Sequence, residues 1–203
     1  MTEVTINDKV LRLQSVDFVP EINLYLCDTP HYRTDSNERF PCWPYAWVGG
    51  KALARYILDN PSIVAGKTVV DLCSGSGIVA IAAKLAGATR VVAVDDYIYS
   101  IQAIQINAEA NGVDIEAVQQ DVFDYSPDYG DVFVVGDPFY DETLFPHLIA
   151  NFNPVLVGSP IRQSHYGFYL TDPLQSYVVE SPVGFDEQLS FNTHICWLSD
   201  GSR

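Results

Sequence analysis

The chain has 203 residues, of which 48% are hydrophobic, and its 11 Lys and Arg against 26 Asp and Glu give a formal charge of −15. That length fits one domain, and that hydrophobic share excludes intrinsic disorder over most of the chain. The acidic balance, a shortage of basic residues, argues against nucleic acid and anionic membrane as partners, because both need a cationic surface that releases counterions.

Met1 to Asp8 has neither a basic start nor an apolar stretch, and no run approaches the roughly 18 apolar residues that span a bilayer, so a soluble, cytoplasmic protein is expected. Residues 1–40 read as a lead-in of short strands, such as Val10 to Leu13 and Ile22 to Leu26, followed by the polar stretch His31 to Arg39. The main domain is then 41–203. From Gly49 to Asn60 the apolar residues Leu53, Ala54, Ile57 and Leu58 recur at helical spacing, and Asn60-Pro61 ends that helix.

Beyond it, short β-branched runs alternate with helical ones, the pattern of βαβ units in a mostly parallel sheet. Strands are predicted at Thr68–Leu72, Arg90–Val94, Ile115–Gln119, Val132–Gly136 and Pro154–Val157. Helices are predicted at Gly77–Ala86, Ser100–Asn111 and Glu142–Asn151. After Ser159 the alternation lapses, and Gln175–Glu180 and Ser190–Leu198 read as an antiparallel hairpin that closes the sheet.

In Val69-Val70-Asp71-Leu72-Cys73-Ser74-Gly75-Ser76-Gly77 a strand runs into a Gly-rich turn that opens a helix. Gly75 and Gly77 let the backbone approach a nucleotide-like ligand closely. Asp95 follows 18 residues after Gly77 at the end of the next strand, where a carboxylate accepts hydrogen bonds from ribose hydroxyls. Two cofactor classes share this geometry. NAD fits because Gly75-x-Gly77-x-x-Ala80 satisfies the dinucleotide fingerprint; S-adenosylmethionine is the other. Asp71 favours the second, since an acid four residues before Gly75 lies where a methyltransferase orders its first turn and approaches the methionine amino group. Gly136-Asp137-Pro138-Phe139-Tyr140 adds a carboxylate and aromatic rings at the same sheet edge, beside the place where a methyl donor presents its sulfonium. Methyl transfer is the favoured reading; a nicotinamide-dependent oxidoreductase has only the glycine fingerprint behind it.

Cys27, Cys42, Cys73 and Cys196 form no C-x-x-C, and the histidines show no metal-ligand spacing, so no metal is expected. The chain has no Gly-x-Ser-x-Gly, which removes the nucleophile-elbow hydrolases.

The run Pro41-x-Trp43-x-x-x-Trp47-x-Gly49-Gly50-Lys51-Ala52-Leu53-Ala54-Arg55, continuing through Asn60-Pro61, is followed in order by the Gly-rich turn and Asp95. Gly136 to Glu142 and Val155-Leu156-Val157-Gly158-Ser159-Pro160-x-Arg162 come next. This combination, over roughly residues 38–198, resembles the seven-β-strand protein-lysine methyltransferases that modify the β subunit of electron transfer flavoprotein. The resemblance implies a Rossmann-like α/β class I methyltransferase sheet flanked by helices, with strand order 3-2-1-4-5-7-6 and an antiparallel last strand. It implies S-adenosylmethionine as cofactor and a protein substrate bearing an acceptor lysine.

Carried onto this sequence, Asp71, Gly75 and Gly77 would form the first cofactor loop, with Cys73 standing where a glycine is usual. Asp95 would clamp the ribose, Asp121 would face the adenine amino group, and Trp47 and Gly49 would close over the cofactor. Asp137, Phe139 and Tyr140 would face the acceptor amine, Asp137 as orienting carboxylate and the two rings as lining of a slot. Pro44 and Val48 alter the Trp segment, and Ser159 and Ile161 replace the Asp and Gly usual in the family's Gly-Asp-Pro-Gly-Arg stretch. Methylation of a small amine, and cofactor binding without turnover, are the other readings.

Overall fold

The central β-branched runs, such as Thr68–Leu72 and Val132–Gly136, pair into one sheet because each is apolar on both sides. Val69, Val70 and Leu72 are all fully buried, as expected of a parallel strand covered on both faces. A computed structural model describes residues 2–28, 41–138, 143–160, 170–182 and 190–199. Three strands, β1 (Glu3–Ile6), β2 (Lys9–Val16) and β3 (Val19–Leu26), form an antiparallel meander in the order β1-β2-β3. Helix α1 (Val48–Asp59) leads into β4 (Thr68–Leu72), α2 (Ile78–Leu85), β5 (Arg90–Asp95), α3 (Ile98–Ala110) and β6 (Glu116–Gln119). Then come β7 (Val132–Gly136), α4 (Leu144–Asn151), β8 (Val155–Pro160), β9 (Gln175–Glu180) and β10 (Ser190–Trp197).

The large sheet has the order β6-β5-β4-β7-β8-β10-β9. Counted from β4, that is the expected 3-2-1-4-5-7-6, and β10 runs antiparallel to both its neighbours. Alternate residues of each strand enter opposite layers. Val69, Val91, Ala93, Val132, Val134 and Leu156 pack under α1 and α2, while Val70, Leu72, Val92, Val94, Val135 and Val157 pack with Leu144 and Leu148 of α4.

The lead-in is more ordered than its short alternating runs suggest. Val16, Val19, Ile22, Leu24 and Leu26 of the meander join the same apolar cluster as α1 and α2, and Tyr25 packs with Trp43, Tyr45 and Ala103. Its polar continuation, His31 to Arg39, lies outside the described residues. A second tie is ionic. Lys51 of α1, 2% exposed, donates to both carboxylate oxygens of Asp17 (3.0 and 2.8 Å) and to the Glu180 carbonyl (2.7 Å). Among the described residues no helix is long and apolar enough to cross a membrane.

Candidate functional site

The turn after β4 is organised by one buried acid. Asp71 is 1% exposed, and its Oδ2 accepts hydrogen bonds from the Ser74 hydroxyl (2.6 Å) and the Ala80 backbone N–H (3.0 Å). Burial pushes its carboxyl up to about 7 against those two hydrogen bonds, and the charge of Asp95 adds to the rise. The backbone between these partners is left-handed at Cys73 (φ +55°), Gly75 (φ +57°) and Gly77 (φ +84°). That region penalises a Cβ, so the glycine usual at position 73 has a backbone reason, and Cys73 adopts the conformation at a cost of about 1 kcal/mol. A Cβ added at Gly75 would meet no protein atom within 4 Å, because Gly75 borders open cavity.

Asp95, at the end of β5, braces this turn. Its Oδ2 accepts from the Gly75 N–H (2.9 Å) and its Oδ1 from the Tyr97 N–H (3.1 Å). Burial raises its carboxyl above the usual range, opposed by the hydrogen bonds from Gly75, Ser100 and Tyr97.

The opposite wall comes from the start of α1 and the ends of β7 and β8. Trp47 is the N-cap residue of α1, and its Nε1 donates to the Cys42 carbonyl (2.8 Å) while its ring meets Tyr45 edge-on at 5.9 Å. Behind it, backbone packs on backbone. A Cβ on Gly49 would fall 2.4 Å from the Gly158 carbonyl oxygen and 2.7 Å from Asp137 Cγ; one on Gly136 would fall 2.9 Å from Gly50 Cα. Asp137 itself has φ +52°, donates its N–H to Gly158 O (2.9 Å) and accepts the Gly50 N–H at Oδ2 (3.0 Å). Its carboxylate therefore sits in the first turn of α1, where unpaired N–H groups favour negative charge.

Between the two walls lies a cavity of about 250 Å³. Of the residues singled out in the sequence, Trp47, Asp71, Cys73, Gly75 and Asp137 line it. Gly49, Gly77 and Asp95 do not; they shape it from behind, Gly77 by starting α2 against Ile104. Asp121 is not brought to the cavity either. It is exposed after β6, and its Oδ1 accepts the Phe123 N–H (3.0 Å) in its own turn. Trp43 is buried against Tyr99 rather than lining the cavity. Phe139 and Tyr140 lie outside the described residues.

The lining also includes Tyr45, Ser74, Ser76 and Pro160, which the sequence reading did not single out. Tyr45 had a visible signal, its place between Trp43 and Trp47 in the aromatic segment that precedes α1, although the chain turns at 43–45 and Trp43 points elsewhere. Ser74 had one too, three residues after a buried strand-end acid. The donor set suits a ligand that carries an ammonium and needs close backbone approach: a buried carboxylate at one end, a turn without a Cβ at Gly75, and aromatic rings opposite. Among the described residues no cluster of His, Cys, Asp and Glu has the make-up of a metal site.

Comparison with known proteins agrees with this geometry. Residues 52–135 match the family model described as ribosomal protein L11 methyltransferase (PrmA). The chain is 37% identical over 180 residues to the electron transfer flavoprotein beta subunit lysine methyltransferase of Mus musculus, covering 81% of this chain and 70% of that protein. To the Rattus norvegicus protein of the same name it is 35% identical over 202 residues, covering 90% and 78%. Among solved structures it is similar in fold to a putative RNA methyltransferase from Pyrococcus horikoshii, with TM-score 0.63 and 17% identity over 81% of this chain and 90% of that one. A magnesium protoporphyrin IX methyltransferase from Synechocystis with bound S-adenosylmethionine gives TM-score 0.56 and 15% identity over 75% and 81%.

Proposed function

The chain belongs to the electron transfer flavoprotein beta subunit lysine methyltransferase family, and on that footing we propose that it methylates a lysine of that flavoprotein's β subunit with S-adenosylmethionine as donor. The observation that carries the reading is a single cavity with a carboxylate on each wall, Asp71 in the glycine turn and Asp137 on the first turn of α1. Two acids facing one cavity suit two cationic groups, the α-ammonium of the donor and the ammonium of the acceptor.

When bound, the cofactor supplies a methyl group on a sulfonium, which leaves by in-line displacement. The residues of the chain then have positional tasks. Asp71 pairs with the α-ammonium, and Gly75 admits the ligand against its backbone while Asp95 fixes the Gly75 N–H. Trp47 and Tyr45 keep water from the opposite side. Asp137 attracts and orients the acceptor; a carboxylate beside an ammonium stabilises its proton, so desolvation in the apolar slot, rather than Asp137, favours the neutral amine that has a lone pair to give. Holding the acceptor amine in line with the donor's methyl group would then be the main catalytic contribution of these residues. The formal charge of −15 adds long-range attraction for a basic surface around the acceptor lysine.

The test is incubation of the purified protein with S-adenosylmethionine and purified electron transfer flavoprotein β subunit, followed by mass spectrometry of the acceptor. One or more methyl groups on a lysine is the expected result. Asp137→Asn keeps an oxygen for the Gly50 N–H and loses the charge; it should reduce turnover by about 10²-fold while S-adenosylhomocysteine still binds. Methylation of small amines with none on the β subunit would sink the acceptor assignment, and a thermal shift with NAD but not with S-adenosylhomocysteine would sink the cofactor.

A further inference from the structure

Strand β3 is the edge of the N-terminal meander, and its backbone groups at Asn23 and Tyr25 face α3 rather than another strand. Two asparagines one helical turn apart meet them. Asn111 accepts the Asn23 N–H at Oδ1 (2.9 Å), and its Nδ2 donates to the Asn23 carbonyl (2.6 Å) and to the Asn107 carbonyl one turn back (2.7 Å), with no bond to the cofactor turn. Asn107 does something different. It is fully buried, its Oδ1 accepts the Tyr25 N–H (2.7 Å), and its Nδ2 donates to the carbonyl of Ser76 (2.8 Å), a residue that lines the cofactor cavity between Gly75 and Gly77. One partner is a backbone donor and the other a backbone acceptor, so the carboxamide orientation is set by the bonds it makes.

We propose that Asn107 is a positioning residue for the cofactor turn, holding the Ser76 carbonyl in register with the N-terminal sheet so that cofactor binding and the seating of that sheet are coupled. The inference rests on the reading of the cavity as the cofactor site. Its physical basis is that Ser76 stands between two left-handed glycines, and the peptide plane that carries its carbonyl is held at two points: the Gly77 N–H donates to the Ser74 carbonyl (3.0 Å) within the turn, and the buried Asn107 amide supplies the hold from outside it. Coupling runs both ways by linkage: a ligand that orders the turn also strengthens the hold of Asn107 on Tyr25.

The experiment is calorimetric titration of S-adenosylhomocysteine into the wild-type chain, Asn107→Asp and Asn111→Asp, with hydrogen exchange of the wild type with and without the ligand. Asn107→Asp keeps the shape and the acceptor for Tyr25 but sets an oxygen against the Ser76 carbonyl, and its Kd should rise about tenfold. Asn111→Asp disturbs the same helix–strand seam without touching the turn, and its Kd should stay within about twofold of wild type. In the wild type the ligand should slow amide exchange at residues 23–26 as well as at 71–80. Equal Kd values for Asn107→Asp and wild type overturn the proposal, as does an equal loss in both variants. If Asn107→Asp does not fold, the exchange measurement decides: protection confined to 71–80 overturns the coupling. Failure of the wild type to bind S-adenosylhomocysteine overturns the cofactor reading together with this one, whereas binding without coupling overturns this one alone.

Discussion

The two walls of the cavity are assembled over very different distances along the chain. On the turn side Asp71 meets Ser74 and Ala80, three and nine residues on, and the longer ties, Asp95 on Gly75 and Asn107 on Ser76, span 20 and 31 residues. On the helix side the Gly50 N–H reaches Asp137 87 residues on, and Gly49 rests on the carbonyl of Gly158. That wall exists only when α1, β7 and β8 are all in place. The cofactor end is thus drawn from consecutive elements, β4 to α3, and the acceptor end from elements far apart in the chain, so damage to packing far from the cavity should reach the acceptor end first.

The largest expected effect tests the distant wall. Gly158→Ala would put a Cβ 2.3 Å from the Gly49 carbonyl oxygen, backbone against backbone, and should destabilise the fold by about 3 kcal/mol in chemical denaturation. A midpoint unchanged from wild type would mean that α1 and the strand ends separate easily and that the contrast between the walls is overdrawn.

The next effect belongs to the local wall. Asp71→Asn retains an oxygen for Ser74 and Ala80 but removes the charge, and affinity for S-adenosylhomocysteine should fall about tenfold. The wild type carries a matching pH signature. Its carboxyl sits at about 7 in the ligand-free protein, and the ammonium of the ligand pairs with the ionised form, so affinity should weaken as pH falls through about 7 and level off above it. The same rise should make the ligand-free fold less stable as pH climbs from 3.8 toward about 7, because the folded chain keeps a proton that the unfolded chain releases. In Asp71→Asn both trends should flatten; a pH dependence of binding identical to wild type would remove Asp71 from the ammonium site.

Two smaller effects sharpen the picture of the turn. Asp95→Asn leaves one oxygen for two backbone donors, Gly75 and Tyr97, and should cost about 1–2 kcal/mol in stability along with a weaker cofactor affinity. Cys73→Gly relieves a left-handed side chain but adds freedom to the unfolded chain, so the gain should be small, about 1–2 °C in Tm with cofactor affinity retained. A drop in Tm would mean that packing of the thiol outweighs its backbone strain.

What the sequence made legible follows the same division. The turn could be read because its residues are neighbours: Asp71, Gly75 and Gly77 announce themselves by spacing, and the strands around them by β-branched runs. Asp137 was legible from its place at the end of a strand and from the resemblance, but nothing in its spacing foretold that Gly50 would hold it or that Gly49 and Gly158 would touch. Asp121 shows the converse. The resemblance implied a ligand contact for it, and its spacing did not foretell that the Phe123 N–H would hold one of its oxygens in the local turn. The alternation of Ile22, Leu24 and Leu26 revealed a half-buried strand, but not that Asn107 and Asn111 would complete its edge, because each carboxamide bond spans more than eighty residues.

A protein whose proposed chemistry is the alkylation of lysine has its own lysines to protect. The sequence holds four, Lys9, Lys51, Lys67 and Lys84, and Lys51 directly follows Gly50, a residue of the cavity wall. Its side chain leaves on the other side of α1, and its three N–H donors are taken by the two Asp17 oxygens and the Glu180 carbonyl. An ammonium so engaged has no lone pair to offer and no room to swing toward a methyl donor. The ion pair that fastens the N-terminal sheet to α1 thereby also keeps the lysine nearest the cavity in sequence turned away from it.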